Sequence, residues 1–89
     1  MKKSYKITLA EGLHARPTIL LVTAVNHFKS DVTMTYKERT VNLKSIMGVM
    51  ALGVAPGSIV EISATGEDAE AMMAKVTEFI TTNGIGEEC

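Results

Sequence analysis

Residues 12–17 read Gly-Leu-His-Ala-Arg-Pro, and this stretch separates two segments with different apolar periodicity. Before it, Tyr5–Leu9 alternates apolar and polar side chains, which predicts a half-buried strand. After it, residues 15–28 carry apolar side chains at helical spacing, which predicts an amphipathic helix. The apolar face of that helix is predicted to contain Leu20, Leu21, Ala24, Val25 and Phe28. The quoted stretch is therefore where a strand gives way to the first helix.

The residue types in this stretch suit the entry to a helix. Gly12 permits an unusual backbone turn. Pro17 falls in the first helical turn, where its missing N–H removes no helical hydrogen bond. We therefore predict His14 at or next to the N-cap, a position at which Asn, Asp, Ser or Thr would cap better.

A histidine at this position has a chemical use. A helix start offers N–H groups without partners and the positive end of the helix dipole, and both favour an anion. Neutral imidazole is a nucleophile near pH 7. Arg16 adds a permanent charge with planar geometry that suits phosphate oxygens. We predict that His14 accepts and donates a phosphoryl group and that Arg16 is its charge partner. His27 has no such neighbours and is expected to be a solvated residue near the end of the helix.

The remaining periodicity completes a small α+β pattern. Further strands are predicted at 32–36, 39–41 and 59–64, and further helices at 46–52 and 68–82. Lys37 and Glu38 form the tight connection of a hairpin, and Gly84 is placed to end the last helix. The order βαββαβα predicts a four-stranded antiparallel sheet with three helices on one face.

Composition narrows the class of protein. The 89 residues suffice for a single domain, predicted at 1–89. Nine basic against ten acidic residues give a net charge of −1, so we expect no direct contact with nucleic acid. There is no long apolar run, so we expect no membrane insertion. The single cysteine, Cys89, fits a cytoplasmic protein. No metal-ligand spacing or P-loop appears, and no metal or cofactor is expected.

Ser45 stands at the predicted N-cap of the short second helix. Serine is favoured there for structural reasons alone. It is also a candidate phosphorylation site, because a phosphate at a helix N-terminus is tolerated or stabilising while it changes the local surface potential.

A partner-binding surface is predicted beside His14. Ile19 points away from the predicted core face, and Met47 and Met50 form a second exposed apolar pair with adaptable side chains. The full predicted surface consists of Ala15, Ile19, Leu20, Thr23, Ile46, Met47 and Met50.

Two segments together resemble HPr, the histidine-containing phosphocarrier family of the bacterial phosphoenolpyruvate-dependent sugar phosphotransferase system. They are residues 12–17 and residues 41–50, which read Val-Asn-Leu-Lys-Ser-Ile-Met-Gly-Val-Met. Residues 84–87 are also similar to the family's usual ending. Three positions depart from the commonest pattern, namely Thr18, Ile19 and Ala51.

The resemblance implies an open-faced β-sandwich and a non-enzymatic carrier. It implies that His14 takes a phosphoryl group on Nδ1 from phospho-enzyme I and passes it to IIA domains of sugar permeases. It further implies that Ser45 is the target of HPr kinase/phosphorylase, which links the protein to a catabolite control transcription regulator. We expect a monomer with small, transient interfaces.

Three other functions remain as alternatives. A corepressor acting only through Ser45 is one, although family members specialised in that way have lost the histidine. A dedicated phosphocarrier outside sugar uptake usually lacks the full segment around Ser45. A stand-alone hydrolase is the last, and no Gly-x-Ser-x-Gly segment is present to support it.

Overall fold

The computed structural model describes residues 1–89, which form five strands and three helices. In chain order the elements are β1 Lys2–Ile7, α1 Ala15–Val25, β2 Asp31–Tyr36, β3 Arg39–Asn42, α2 Ile46–Leu52, β4 Ile59–Thr65, α3 Ala69–Thr82 and β5 Gly86–Glu88. The sheet order is β3-β2-β4-β1-β5, and every neighbouring pair is antiparallel. The α+β class, the three helices and the antiparallel sheet are thus as predicted.

The prediction of four strands was wrong, because the last residues add a fifth. The residues of β5 pair with β1 in the register Ile7 to Gly86 and Tyr5 to Glu88. This pairing is made by backbone hydrogen bonds. The segment itself reads Gly-Glu-Glu, so the sequence shows no alternation of apolar and polar residues that would have predicted a strand. A Cβ on Gly86 would collide with the carbonyl oxygen of Lys6, so glycine is needed where the two strands meet.

One cluster of 22 buried residues forms the core. Alternate residues of each long strand are buried, such as Val60, Ile62 and Ala64 in β4, while their neighbours are partly exposed. This alternation is what a sheet covered by helices on one face produces. None of the three helices is both long and apolar enough to cross a membrane.

The first helix differs from its prediction in length and in rotation. It ends at Val25 rather than at residue 28, and Asn26 caps it by donating its side-chain amide to the carbonyl of Val22. The buried residues of α1 are Pro17, Thr18, Leu21, Val22 and Val25. Leu20 was predicted in the core and is instead 48% exposed, while Ala24 is only half-buried. The first strand likewise ends at Ile7, so Leu9 lies outside it.

The third helix is anchored at both ends. Asp68 does not cap its own helix with its side chain. Its carboxylate instead accepts hydrogen bonds from the backbone N–H groups of Lys29 and Ser30, both at 2.9 Å, and from the Ser30 hydroxyl. These bonds hold the pKa of Asp68 down at about 2, with the Ser30 hydroxyl as the largest cause. At the other end, Ile85 N–H donates to Ile80 and Gly84 N–H to Thr81, which is a Schellman motif.

Candidate phosphoryl-carrier site

His14 is the N-cap residue of α1, with extended backbone at φ −81° and ψ −172°. Its side chain is exposed and makes no capping hydrogen bond. The N-cap prediction is therefore confirmed, but the ring does not bond to the helix N–H groups that the position offers. The imidazole is left open to solvent and free to react.

The first turn of α1 leaves two backbone donors unused. Thr18 N–H donates to the carbonyl of His14, and Pro17 has no N–H to satisfy. The N–H groups of Ala15 and Arg16 have no acceptor within the protein. Two free N–H groups and the helix dipole thus lie beside the imidazole, which is an arrangement suited to an anion.

Arg16 lies on the same side of the helix start and is free of partners. It makes no hydrogen bond to another group, and the three ion pairs of the protein are all elsewhere. With His14 it lines a shallow cavity of about 180 Å³. The other lining residues are Leu9, Pro17, Leu20, Asn83 and Ile85. An unpaired guanidinium beside an exposed imidazole can bind the oxygens of a phosphoryl group carried on the ring.

Gly12 fixes the path of the loop that carries this site. Its φ of +70° is open to glycine and strained for other residues. A Cβ at this position would collide with the carbonyl oxygen of Val54. That same carbonyl accepts a hydrogen bond from Leu13 N–H at 3.1 Å. The loop before His14 therefore rests closely on the segment after α2, and the close approach requires glycine.

Sequence reasoning missed the C-terminal wall of the cavity. Asn83 and Ile85 lie far from His14 in sequence, and the pairing of β5 with β1 brings them to it. Thr8 N–H also donates to the carbonyl of Ile85 at 2.9 Å. The available signal was Gly84 followed by an apolar residue, which is typical of a helix end that folds back on itself.

Ser45 is the N-cap of α2, as predicted. Its hydroxyl oxygen accepts a hydrogen bond from Gly48 N–H at 3.0 Å, and the residue is half-buried. Lys44 beside it donates its ammonium to the carbonyl of Phe28 at 2.7 Å, so that side chain is already engaged. The structure does not place Ser45 in the cavity of His14.

The predicted partner-binding residues lie on two helices that contact each other, α1 and α2. Five of the seven exposed large apolar side chains of the protein belong to this pair of helices. We refer to them as the α1–α2 apolar surface, which consists of Ile19, Leu20, Ile46, Met47 and Met50. Ala15 and Thr23 are exposed on α1 as well. An apolar group of this kind, concentrated on one part of a small protein, is typical of an interaction site.

The sequence matches a family model described as the PTS HPr component phosphorylation site over residues 1–82. The chain therefore belongs to the HPr family, the phosphocarriers of the phosphotransferase system.

Solved structures agree with this assignment. The histidine-containing phosphocarrier protein of a Mycoplasma is 35% identical, with a TM-score of 0.94 over 97% of this chain and 98% of the other. HPr from Bacillus anthracis is 37% identical, with a TM-score of 0.82 over 89% and 94%. The catabolite repression protein Crh of Bacillus subtilis, solved as a domain-swapped dimer, is 39% identical, with a TM-score of 0.73 over 86% and 88%.

Proposed function

We propose that this chain carries a phosphoryl group on His14, which it receives from phospho-enzyme I and gives to the IIA domains of sugar permeases. The observation that supports this most is the exposed, uncapped imidazole beside an unpaired Arg16 in one cavity. A stand-alone hydrolase is disfavoured, because the cavity is shallow and its polar side chains are one histidine, one arginine and one asparagine.

The transfer needs one nucleophilic nitrogen and a place for negative charge. The lone pair of the unprotonated ring nitrogen, Nδ1 by family resemblance, forms the new N–P bond. The bond from phosphorus to the donor breaks at the same time, and the donor keeps that electron pair. Arg16 and the free N–H groups of the first helical turn stabilise the phosphoryl oxygens. Because the ring stays exposed, the group remains accessible to the next acceptor.

We further propose that Ser45 is a regulatory site for HPr kinase/phosphorylase. Its Oγ would bond to the γ-phosphorus of ATP as the bond to ADP breaks, and the hydroxyl proton would be lost. The product adds about −1.5 to −2 charges next to Ile46 and Met47. A charge of that size beside the α1–α2 apolar surface would weaken the binding of partners that contact this surface through apolar side chains. It would also create a feature that a catabolite control regulator can recognise.

The proposed carrier function also leads us to propose that the protein is cytoplasmic and monomeric. A carrier that serves several partners in turn works as a cytoplasmic monomer with its helical surface free. The open-faced form of the sandwich, with all three helices on one side, fits the one-sided burial of the strands.

Phosphorylation with two separate donors tests these assignments. Phosphoenolpyruvate and enzyme I should give acid-labile label that His14→Ala abolishes and His27→Ala retains. ATP and HPr kinase should give acid-stable label that Ser45→Ala abolishes. If His14→Ala still takes label from enzyme I, the site is wrong. If only Ser45 is ever labelled, the chain is a regulator of the kind that Crh is named for, and not a carrier.

A further inference from the structure

The methionines of this protein divide sharply by their exposure to solvent. Three are buried in the core, namely Met34, Met72 and Met73. The other three are exposed, Met47 by 81%, Met1 by 53% and Met50 by 39%. Met47 has the largest exposed fraction among the large apolar side chains of the protein. A soluble oxidant therefore reaches the thioether of Met47 most freely and cannot reach those of the core.

Met47 lies in the α1–α2 apolar surface, as the second residue of α2. Its side chain does not line the cavity of His14 and Arg16. The cap of α2 does not depend on it either, because that cap is the bond from Gly48 N–H to the hydroxyl of Ser45. A chemical change at the sulfur of Met47 thus alters the apolar surface and leaves both the cavity and the helix start as they are.

We propose that Met47 is an oxidation site, at which a peroxide converts the thioether to a sulfoxide and thereby weakens docking on phospho-enzyme I. In this step a lone pair of Sδ forms a bond to one oxygen of hydrogen peroxide while the O–O bond breaks. The departing hydroxide takes the proton of the transferred oxygen and leaves as water. The sulfur loses two electrons and the peroxide gains them. Sulfoxide reductases reverse the change, so the site can be switched in both directions.

The effect on docking follows from the change in polarity. A thioether is apolar and adapts to different partner surfaces, whereas a sulfoxide oxygen is a strong hydrogen-bond acceptor that loses water when it is buried. Burial of such an oxygen against an apolar partner surface, without a donor, opposes binding. We expect the KM for this protein as substrate of phospho-enzyme I to rise about tenfold, which corresponds to about 1.4 kcal/mol. This inference rests on the proposed carrier function.

The turnover number should respond differently from the KM. His14 and Arg16 remain unchanged by oxidation of a side chain outside their cavity, so kcat should stay within about twofold of the untreated value. A general loss of structure would lower kcat and the melting temperature together. The KM and kcat values therefore separate weakened docking from damage to the fold.

The test treats the whole protein with hydrogen peroxide, removes the peroxide and adds a thiol reductant. The reductant restores oxidised forms of the exposed Cys89 up to the sulfenic acid and leaves methionine sulfoxide in place. Peptide mass spectrometry should find oxygen on Met47 while the three core methionines are unmodified. The KM for phospho-enzyme I should rise as stated, and methionine sulfoxide reductase should return it to the untreated value.

Two variants form a matched pair, and each is compared with its own untreated form. Met47→Leu keeps an apolar side chain that peroxide does not oxidise, so treatment should leave the KM of this variant unchanged. Met50→Leu removes the neighbouring thioether instead, so treatment should raise its KM as in the parent protein.

Three results would overturn the inference. They are an equal rise of KM in treated Met47→Leu, a parent protein whose KM is unaffected by the sulfoxide at Met47, and a fall of kcat at constant KM. Failure of the carrier function itself looks different, since the untreated parent protein would then take no acid-labile label from enzyme I.

Discussion

Replacement of His14 by aspartate should make the protein more stable while it abolishes phosphoryl uptake. The N-cap backbone is already extended, and Ala15 and Arg16 present N–H groups without acceptors. Aspartate is among the best N-cap residues because its carboxylate accepts such a bond. Pro17 stands at the third helical position and has no N–H, so the bond must come from Arg16.

The expected gain in the free energy of unfolding is about 1 kcal/mol, since N-cap exchanges of this kind are worth about 0.5–2 kcal/mol. Favourable interaction of the carboxylate with the helix dipole adds about 0.3–1 kcal/mol at low salt. A total stability of about 4–13 kcal/mol is ordinary for 89 residues. The gain is thus a measurable share of it.

Urea denaturation of His14→Asp and the parent protein measures the difference. His27→Asp is the matched control, because His27 is also exposed but follows the C-terminus of α1, where the helix dipole disfavours a negative charge. That control should be neutral or slightly destabilised. A His14→Asp protein no more stable than His27→Asp would refute the view that this helix start gives up capping energy.

Three other changes test the scaffold. Gly12→Ala should lower the free energy of unfolding by about 3 kcal/mol, because alanine is strained at a positive φ and its Cβ would collide with the chain after α2. Gly57→Ala is the control, since Gly57 has φ +79° with open space around it, and it should lower the free energy of unfolding by only about 1 kcal/mol. Equal losses in urea denaturation would contradict the collision. The pKa of Asp68 is about 2 in the folded protein and higher in the unfolded chain, so the stabilising effect of its carboxylate should be lost as the pH falls below 4. The melting temperatures of the parent protein and of Asp68→Asn should therefore converge between pH 4 and pH 2. A constant difference would count against the hydrogen bonds from Lys29 and Ser30 to this carboxylate. Lys37 and Glu38 both have positive φ in the hairpin turn, a backbone conformation that Asn-Gly adopts more easily. Replacing them by Asn-Gly should relieve about 1 kcal/mol of backbone strain and raise the melting temperature. An unchanged melting temperature would show that the turn is unstrained.

The first helix shows what periodicity can and cannot determine. Residues 18–25 read Thr-Ile-Leu-Leu-Val-Thr-Ala-Val, and an almost wholly apolar run does not fix which side faces the core. The pattern predicted that Ile19 is exposed, which the structure confirms. It also placed Leu20 in the core, which was wrong. Both side chains belong to the α1–α2 apolar surface, and an exposed apolar surface has the same residue types in the sequence as a core face.

Local chemistry was predictable where one residue decides it. Ser45 as N-cap, the hairpin at Lys37-Glu38 and Gly84 as the end of α3 were all expected from residue type and are all confirmed. The bond network of Asp68 with Ser30 and the pairing of β5 were not expected. The β5 pairing uses backbone groups, which have the same chemistry at every position and leave no pattern in the side chains. The Asp68 carboxylate bonds to residues 38 and 39 positions away, and no local periodicity indicates such a distant partner.

The site of His14 combines a fixed backbone with a free side chain, and the two requirements are met by different interactions. Backbone contacts hold the loop, since Leu13 bonds to the carbonyl of Val54 and Gly12 lies against the same carbonyl. No hydrogen bond or ion pair holds the imidazole or the guanidinium of Arg16, so both side chains are free to change their orientation. Because the loop is positioned without using these side chains, a chemical change at His14, such as the proposed phosphorylation, need not disturb the folded structure.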